Sequence, residues 1–341
     1  MRFARGGPGR TAGVLLLATG AAGALLDPLA AAITLVPVGL QLGSLLGLQR
    51  GPLLFGQMLA ASFGGAMTLT GSPVNMLVAA AGSFTYVQIL LHIGIPALAL
   101  LLLLAGLMAL FYRGRPNPKL VEVAPEWRAR AWLRDPVLMR NSAVALGAVT
   151  LAFALHHWIR VHPGWIALIA AVLLVAVSRK RYDPRELVDD VDWRTLGALL
   201  GLFVVAGALT DTGAAAGLAQ RAAELAGGSL PLLAALLLWL SAVLSAAIGP
   251  LPVAALLTQL VPAIGAATGA GGLQLHPLWW SLALGSAIGA AASPLGSPGH
   301  VVALTLAARA KESAGVADFL RWGVPAAFVG LVLATWYALL V

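Results

Sequence analysis

Gly71-Ser72-Pro73 and Gly296-Ser297-Pro298 are one breaker tripeptide used twice, 225 residues apart and both times inside apolar sequence. Two residues beyond each stands a polar side chain, Asn75 in the first and His300 in the second. One such interruption is a kinked helix; two in corresponding places are a duplicated unit. In a bilayer, unwound backbone is tolerated only where protein or a water-filled cavity surrounds it. Paired interruptions in two halves of a chain are therefore a sequence pointer to a transport site.

Working outward, the two stretches belong to a longer repeat. Leu35-Val36-Pro37 matches Leu260-Val261-Pro262 and Gly64 matches Gly289, both at the offset of 225. Gly94-Ile95-Pro96-Ala97 then matches Gly323-Val324-Pro325-Ala326 at 229. Of 341 residues, 60% are hydrophobic and 10% charged, and the mean hydropathy is +0.91. Several apolar runs approach the roughly 20 residues that span a bilayer. The expected fold is thus an all-α integral membrane protein of two inverted repeats, each holding a re-entrant hairpin and a broken helix. Thirty-nine glycines suit helices that approach closely. The absence of cysteine excludes disulfides and thiolate chemistry.

The expected organisation is a first repeat over 1–111, with a hairpin at 11–46, a broken helix at 52–82 and a helix at 86–111. A polar connector follows at 112–141. The second repeat, 142–341, has scaffold helices over 142–213, a hairpin at 229–268, a broken helix at 277–308 and a helix at 322–340. Residues 214–226 read as an amphipathic interfacial helix. If the second repeat begins near 142, the first lacks its opening helices, so a shortened or misassigned N-terminus is expected. Arg2, Arg5 and Arg10 before an apolar run also fit a secretory signal, although residues 11–46 fit the repeat.

The net charge of +8 sits in short loops, the pattern of the positive-inside rule rather than of a nucleic-acid surface. With 11–46 as a hairpin entered from the cytoplasm, Arg10, Arg50, the connector, Arg309, Lys311 and Arg321 all fall inside. Only Arg160 and Arg221 of 21 basic residues then lie outside. A multi-pass protein of the inner cell membrane follows, with a cytoplasmic connector.

The run from Gly64 to Asn75, Gly-Gly-Ala-Met-Thr-Leu-Thr-Gly-Ser-Pro-Val-Asn, resembles the Gly-Gly-x-x-Thr-Leu-Ile-Gly-Asp-Pro-Pro-Asn signature of the ion transporter superfamily. The nearest branch is that of the arsenite permeases, D-type sodium–proton antiporters and melanosomal P-protein; the divalent anion–sodium symporters are more distant. Asp192-Trp193-x-Thr195-Leu196 and Gly296 to Ala303 agree with it. The resemblance implies an elevator-like secondary transporter, often a homodimer. Its first hairpin tip would be Asp27-Pro28 and its second Gly249-Pro250. Departures are Gly249 for the second acidic residue, Pro250 for an asparagine, Ser72 for an aspartate and His300 for an asparagine.

The candidate substrate and ion site is therefore Asp27, Pro28, Thr68, Thr70, Gly71, Ser72, Pro73 and Asn75 from the first half. Gly249, Pro250, Ser293, Gly296, Ser297, Pro298 and His300 join from the second. Half-helix N-termini present amide donors and partial positive charge to an anion. The carbonyls of 68–70 and 293–295 suit a cation, with Na+ near Asp27 and Thr70, or a proton, as coupling ion. An acidic residue deep in a membrane, such as Asp27, is functional by default, though a hairpin tip is a bland alternative. His300 titrates near neutrality if unperturbed, at about 6.5. His156, His157 and His162 read as a polar turn rather than a metal cluster, and Asp183, Glu186, Asp189, Asp190 and Asp192 as a solvated loop.

The expected function is secondary transport of a small anion or oxyanion such as arsenite, a carboxylate or sulfate. Sodium–proton antiport and a non-transporting membrane remnant or scaffold are the alternatives. No nucleotide-binding loop, H-E-x-x-H or other catalytic constellation is present, so neither an enzyme nor a resident cofactor is expected.

Overall fold

A computed structural model describes residues 7–113, 136–159, 161, 163–178, 189, 191, 193–310, 312 and 315–340. Among these residues every element is helical. Residues 114–135 of the connector, Arg160, His162, Asp183, Glu186, Asp190, Asp192 and the side chains of His156 and His157 lie outside this description.

The first half contains α1 (Pro8–Leu25), α2 (Pro28–Leu45), α3 (Arg50–Ala66), α4 (Pro73–Gly82), the short α5 (Tyr86–Ile89) and α6 (Ile95–Phe111). The second contains α9 (Trp193–Asp211), α10 (Ala214–Leu225), α11 (Leu230–Ile248), α12 (Pro250–Leu257), α13 (Leu260–Thr268), α14 (His276–Ala292), α15 (Pro298–Arg309) and α16 (Val316–Leu340). Between them α7 (Pro136–Ile159) and α8 (Pro163–Ser178) pack on each other in a separate unit, Leu120–Gly201 with Thr85–Val87. All that follows concerns the larger unit.

Proline writes the helix starts. Pro28, Pro73, Pro250 and Pro298 each occupy a first helical position, where the missing N–H has no intrahelical partner to lose and φ is already set. Helix boundaries accordingly fall between Leu25 and Pro28, Ala66 and Pro73, Ile248 and Pro250, and Ala292 and Pro298. Two details were not foreseen. The helix expected over 86–111 carries a π-helical turn at Leu90–Gly94, and the second hairpin's return arm is divided at Thr258–Gln259. Both half-helices also begin two residues earlier than Asn75 and His300, which sit in their first turns.

Among the described residues, five helical stretches are long and apolar enough to cross a membrane: Pro28–Leu45, Tyr86–Phe111, Leu230–Ile248, Pro250–Thr268 and Val316–Leu340. Leu196–Asp211 and Ala214–Leu225, bent by 67° at the break between them, make a sixth when counted as one span. The second arm is the amphipathic segment, packed on α13 through one face.

Within each half the outgoing hairpin arm runs alongside the first part of the broken helix, at backbone contact. A Cβ on Gly64 would lie 2.0 Å from the Gly20 carbonyl oxygen, and one on Gly289 2.0 Å from that of Ala242. The repeat pairs these two glycines because both helix pairs close through them.

One end of the unit gathers basic residues. Arg50 is ion-paired with Glu312, Tyr112 donates to the Gln49 carbonyl, Phe111 meets Trp322 edge-on, and Gly9 abuts Ala109 and Arg113. Arg10, Arg50, Arg113, Arg309 and Arg321 therefore share that end. The opposite end is aromatic: Phe84, His92, His276, Trp279 and Trp280 form one ring cluster. Consequently α3–α4 runs from the basic to the aromatic end, and α14–α15 runs the other way.

Candidate functional site

The first break is tied by hydroxyl and amide groups. The Thr68 hydroxyl donates to the Ala24 carbonyl at 2.5 Å and accepts from the Gly71 amide at 2.9 Å, with Thr70 Oγ1 3.3 Å away. Asn75 Nδ2 reaches back to the carbonyls of Ala66 and Thr68, both at 2.8 Å. Two donated bonds fix the amide's orientation, leaving Asn75 Oδ1 buried without a partner among the described residues. Ser72 places no side-chain cap on α4, so the amides of its first turn face the break uncapped.

The second break repeats the design with other atoms. Ser293 Oγ accepts from the Leu295 amide, and Ser297 Oγ caps the Gly299 amide, both at 3.2 Å. The His300 amide is taken by the Ser297 carbonyl. Backbone donors are thus less available here than at the first break, which narrows the expected anion cradle to α4. The His300 ring reaches back as Asn75 does: Nδ1 lies 3.0 Å from the Ser293 carbonyl oxygen. Thr68 and Ser293, like Asn75 and His300, are repeat equivalents, so the same bond closes both breaks. Gly71 and Gly296 likewise lie against equivalent carbonyls, those of Gly65 and Ala290.

His300 does more than its counterpart. Its Nε2 stands 2.9 Å from Ser62 Oγ and 3.2 Å from the Met58 carbonyl oxygen, both on α3, and the ring is 1% exposed. Ser62, one turn before the first break, was not singled out from sequence. Neither was Gln57, buried on the same helix and donating to Thr19 Oγ1 and the Leu35 carbonyl. Polar residues inside the apolar run 53–66 were the available signal.

The first hairpin tip joins the two breaks. Pro28 lies against Gly65, and its carbonyl and the Leu29 backbone meet Gly299. Asp27 is half-buried and caps α2 through Oδ1, which accepts from the Ala30 amide at 2.6 Å. The second tip, Gly249-Pro250, has no such cap. Gly249 sits at φ +89, which a side chain would strain, and α12 packs on α14 and α4. The structure therefore brings Pro28, Thr68, Gly71, Asn75, Ser293, Ser297 and His300 to one convergence. Pro73 and Pro298 stand exposed on its rim. Among the described residues there is no group of three metal-ligating side chains.

Broken apolar helices meeting at buried polar breaks fit a multi-pass helical membrane protein, and the family match makes it a transporter. The chain belongs to the citrate transporter family, CitMHS, whose profile matches residues 1–285. It is 32% identical over 335 residues to an uncharacterized transporter of Mycobacterium tuberculosis (strain H37Rv), covering 98% of this chain and 77% of the relative. It is similar to the 46 kDa membrane protein of Mycobacterium leprae, 29% identical over 336 residues, at 97% and 77% coverage. The magnetosome protein MamN of Magnetospirillum gryphiswaldense is 27% identical over 324 residues, at 89% and 71%.

Proposed function

We propose that this chain is a secondary active transporter that carries a small carboxylate of the citrate kind, with a proton or Na+ as coupling ion. Residues 1–111 and 142–341 are two inverted repeats. Their hairpins and broken helices form the moving part, and the basic end with the connector 112–141 faces the cytoplasm of the inner membrane. The substrate sits at the convergence of the first tip with both breaks, among Asp27, Pro28, Thr68 to Pro73, Asn75 and Ser293 to His300. The second tip, Gly249-Pro250, closes the site from α12.

The single observation carrying this reading is Pro28, which touches both Gly65 and Gly299 and so makes one site of two breaks 225 residues apart. Uncapped amides at the start of α4 favour an anion. The family's description favours a carboxylate over arsenite or sulfate, and five arginines at one end favour a cytoplasmic face there.

Purified protein in liposomes would be given labelled citrate, arsenite or sulfate, with and without imposed pH and Na+ gradients. Citrate accumulation, reduced in Ser72→Ala and Ser297→Ala, is the expected result. Flux of none of the three anions refutes the reading. Na+-driven proton movement without any anion establishes antiport instead.

A further inference from the structure

We propose that His300 is the group through which the transport cycle takes up and releases a proton, and that its protonation fastens α15 to α3. This rests on the convergence being the transport site and names the coupling ion for it. Both ring nitrogens face oxygen atoms on different parts of the fold: the Ser293 carbonyl across the break, and Ser62 Oγ with the Met58 carbonyl on α3. A carbonyl only accepts and a hydroxyl does either. With a neutral ring, Nδ1–H donates to Ser293 and Nε2 accepts from the Ser62 hydroxyl. With a proton added at Nε2, that nitrogen donates to Ser62 Oγ or the Met58 carbonyl, and the Nδ1 bond is unchanged. Both states find partners without moving a side chain, so neither strands a buried polar atom.

The step is an acid–base equilibrium. One proton from water adds to the unprotonated nitrogen, no other bond breaks, and the ring charge rises by one. On α3 the one charged residue is Arg50, in the first turn and ion-paired with Glu312, and residues 51–66 contain none. From α2 the one acid is Asp27, beside Pro28, whose carbonyl abuts Gly299. From α16, the Phe319 ring lies tilted against the His300 ring at a centroid distance of 5.3 Å, and the flanking Asp318 and Arg321 face each other at 3.6 Å. On α14 the titratable group is His276, at the far aromatic end; on α15 itself it is Arg309, in the last turn. A carboxylate at the convergence thus meets a cationic ring when His300 is protonated, and by reciprocity its arrival favours protonation.

Asn75 shows what the position does without a proton. It makes the equivalent bond to the equivalent carbonyl but has nothing to titrate. His300→Asn therefore copies a side chain that the other repeat already tolerates.

Proteoliposomes loaded with a pH-sensitive dye would report protons moved per labelled citrate, a ratio that slower transport does not alter. The ratio is expected to fall by one in His300→Asn; an unchanged ratio overturns the proposal. Independently, [15N]histidine-labelled chain in nanodiscs gives the ring signals of His300, identified by their loss in His300→Asn. They are expected to pass from the singly to the doubly protonated pattern as the pH is lowered. A ring that stays neutral down to the pH at which the protein unfolds overturns the proposal, whether or not citrate is carried. Wild-type chain that moves none of citrate, arsenite and sulfate refutes the site reading above instead, and the ring titration still decides this one.

Discussion

Gly64→Ala separates close packing from helix propensity. On an isolated helix this change stabilises by about 1 kcal/mol, because alanine loses less backbone entropy. Here the added Cβ would sit 2.0 Å from the Gly20 carbonyl oxygen and 2.6 Å from its Cα, all backbone that no rotamer change can move. Ordinary contact begins at 3.4 Å, so α1 and α3 must part by about 1.4 Å or distort. Overpacking of this kind costs about 1–3 kcal/mol, which leaves a net loss of roughly 0–2 kcal/mol. By the scaling of domains of about 150–250 residues the apparent Tm falls by at most about 4–8 °C. Gly106→Ala on α6 is the control, since its Cβ would meet nothing within 4 Å. Thermal unfolding of both variants in one detergent, followed by size-exclusion chromatography, reads the difference. Equal stability of Gly64→Ala and Gly106→Ala would refute the close-packing account of the repeat. Gly289→Ala, against Ala242, should behave as Gly64→Ala does.

Thr68→Val keeps the shape but strands the Gly71 amide and the Ala24 carbonyl, both buried; a loss of about 1–3 kcal/mol is expected in thermal unfolding, with citrate uptake reduced. Asp27→Asn preserves the cap on Ala30, asparagine and aspartate being equivalent there; stability within about 0.5 kcal/mol of wild type and lost coupled uptake are expected, and undiminished uptake would reduce Asp27 to a cap. Arg50→Ala removes the ion pair with Glu312, whose side chains are 31% and 27% exposed; solvent screening limits the cost to about 0–1 kcal/mol, and unfolding in 1 M salt should shrink it further.

Much of this protein was legible before any coordinates. Hydropathy and charge fixed its class, because a bilayer admits only segments whose backbone is satisfied within the segment. The breaker tripeptides located both interruptions, since proline and glycine act on the residues beside them. The offset of 225 identified the equivalent positions, Thr68 with Ser293 and Asn75 with His300, whose bonds across the breaks match. What no local rule contains is the meeting of distant parts. That Pro28 bridges Gly65 and Gly299, that Ser62 on α3 lies beside His300, and that Ser297 consumes the donors left open at Ser72 depend on how whole helices pack. Such contacts span up to 271 residues of chain, and only the packed bundle fixes the distances between them.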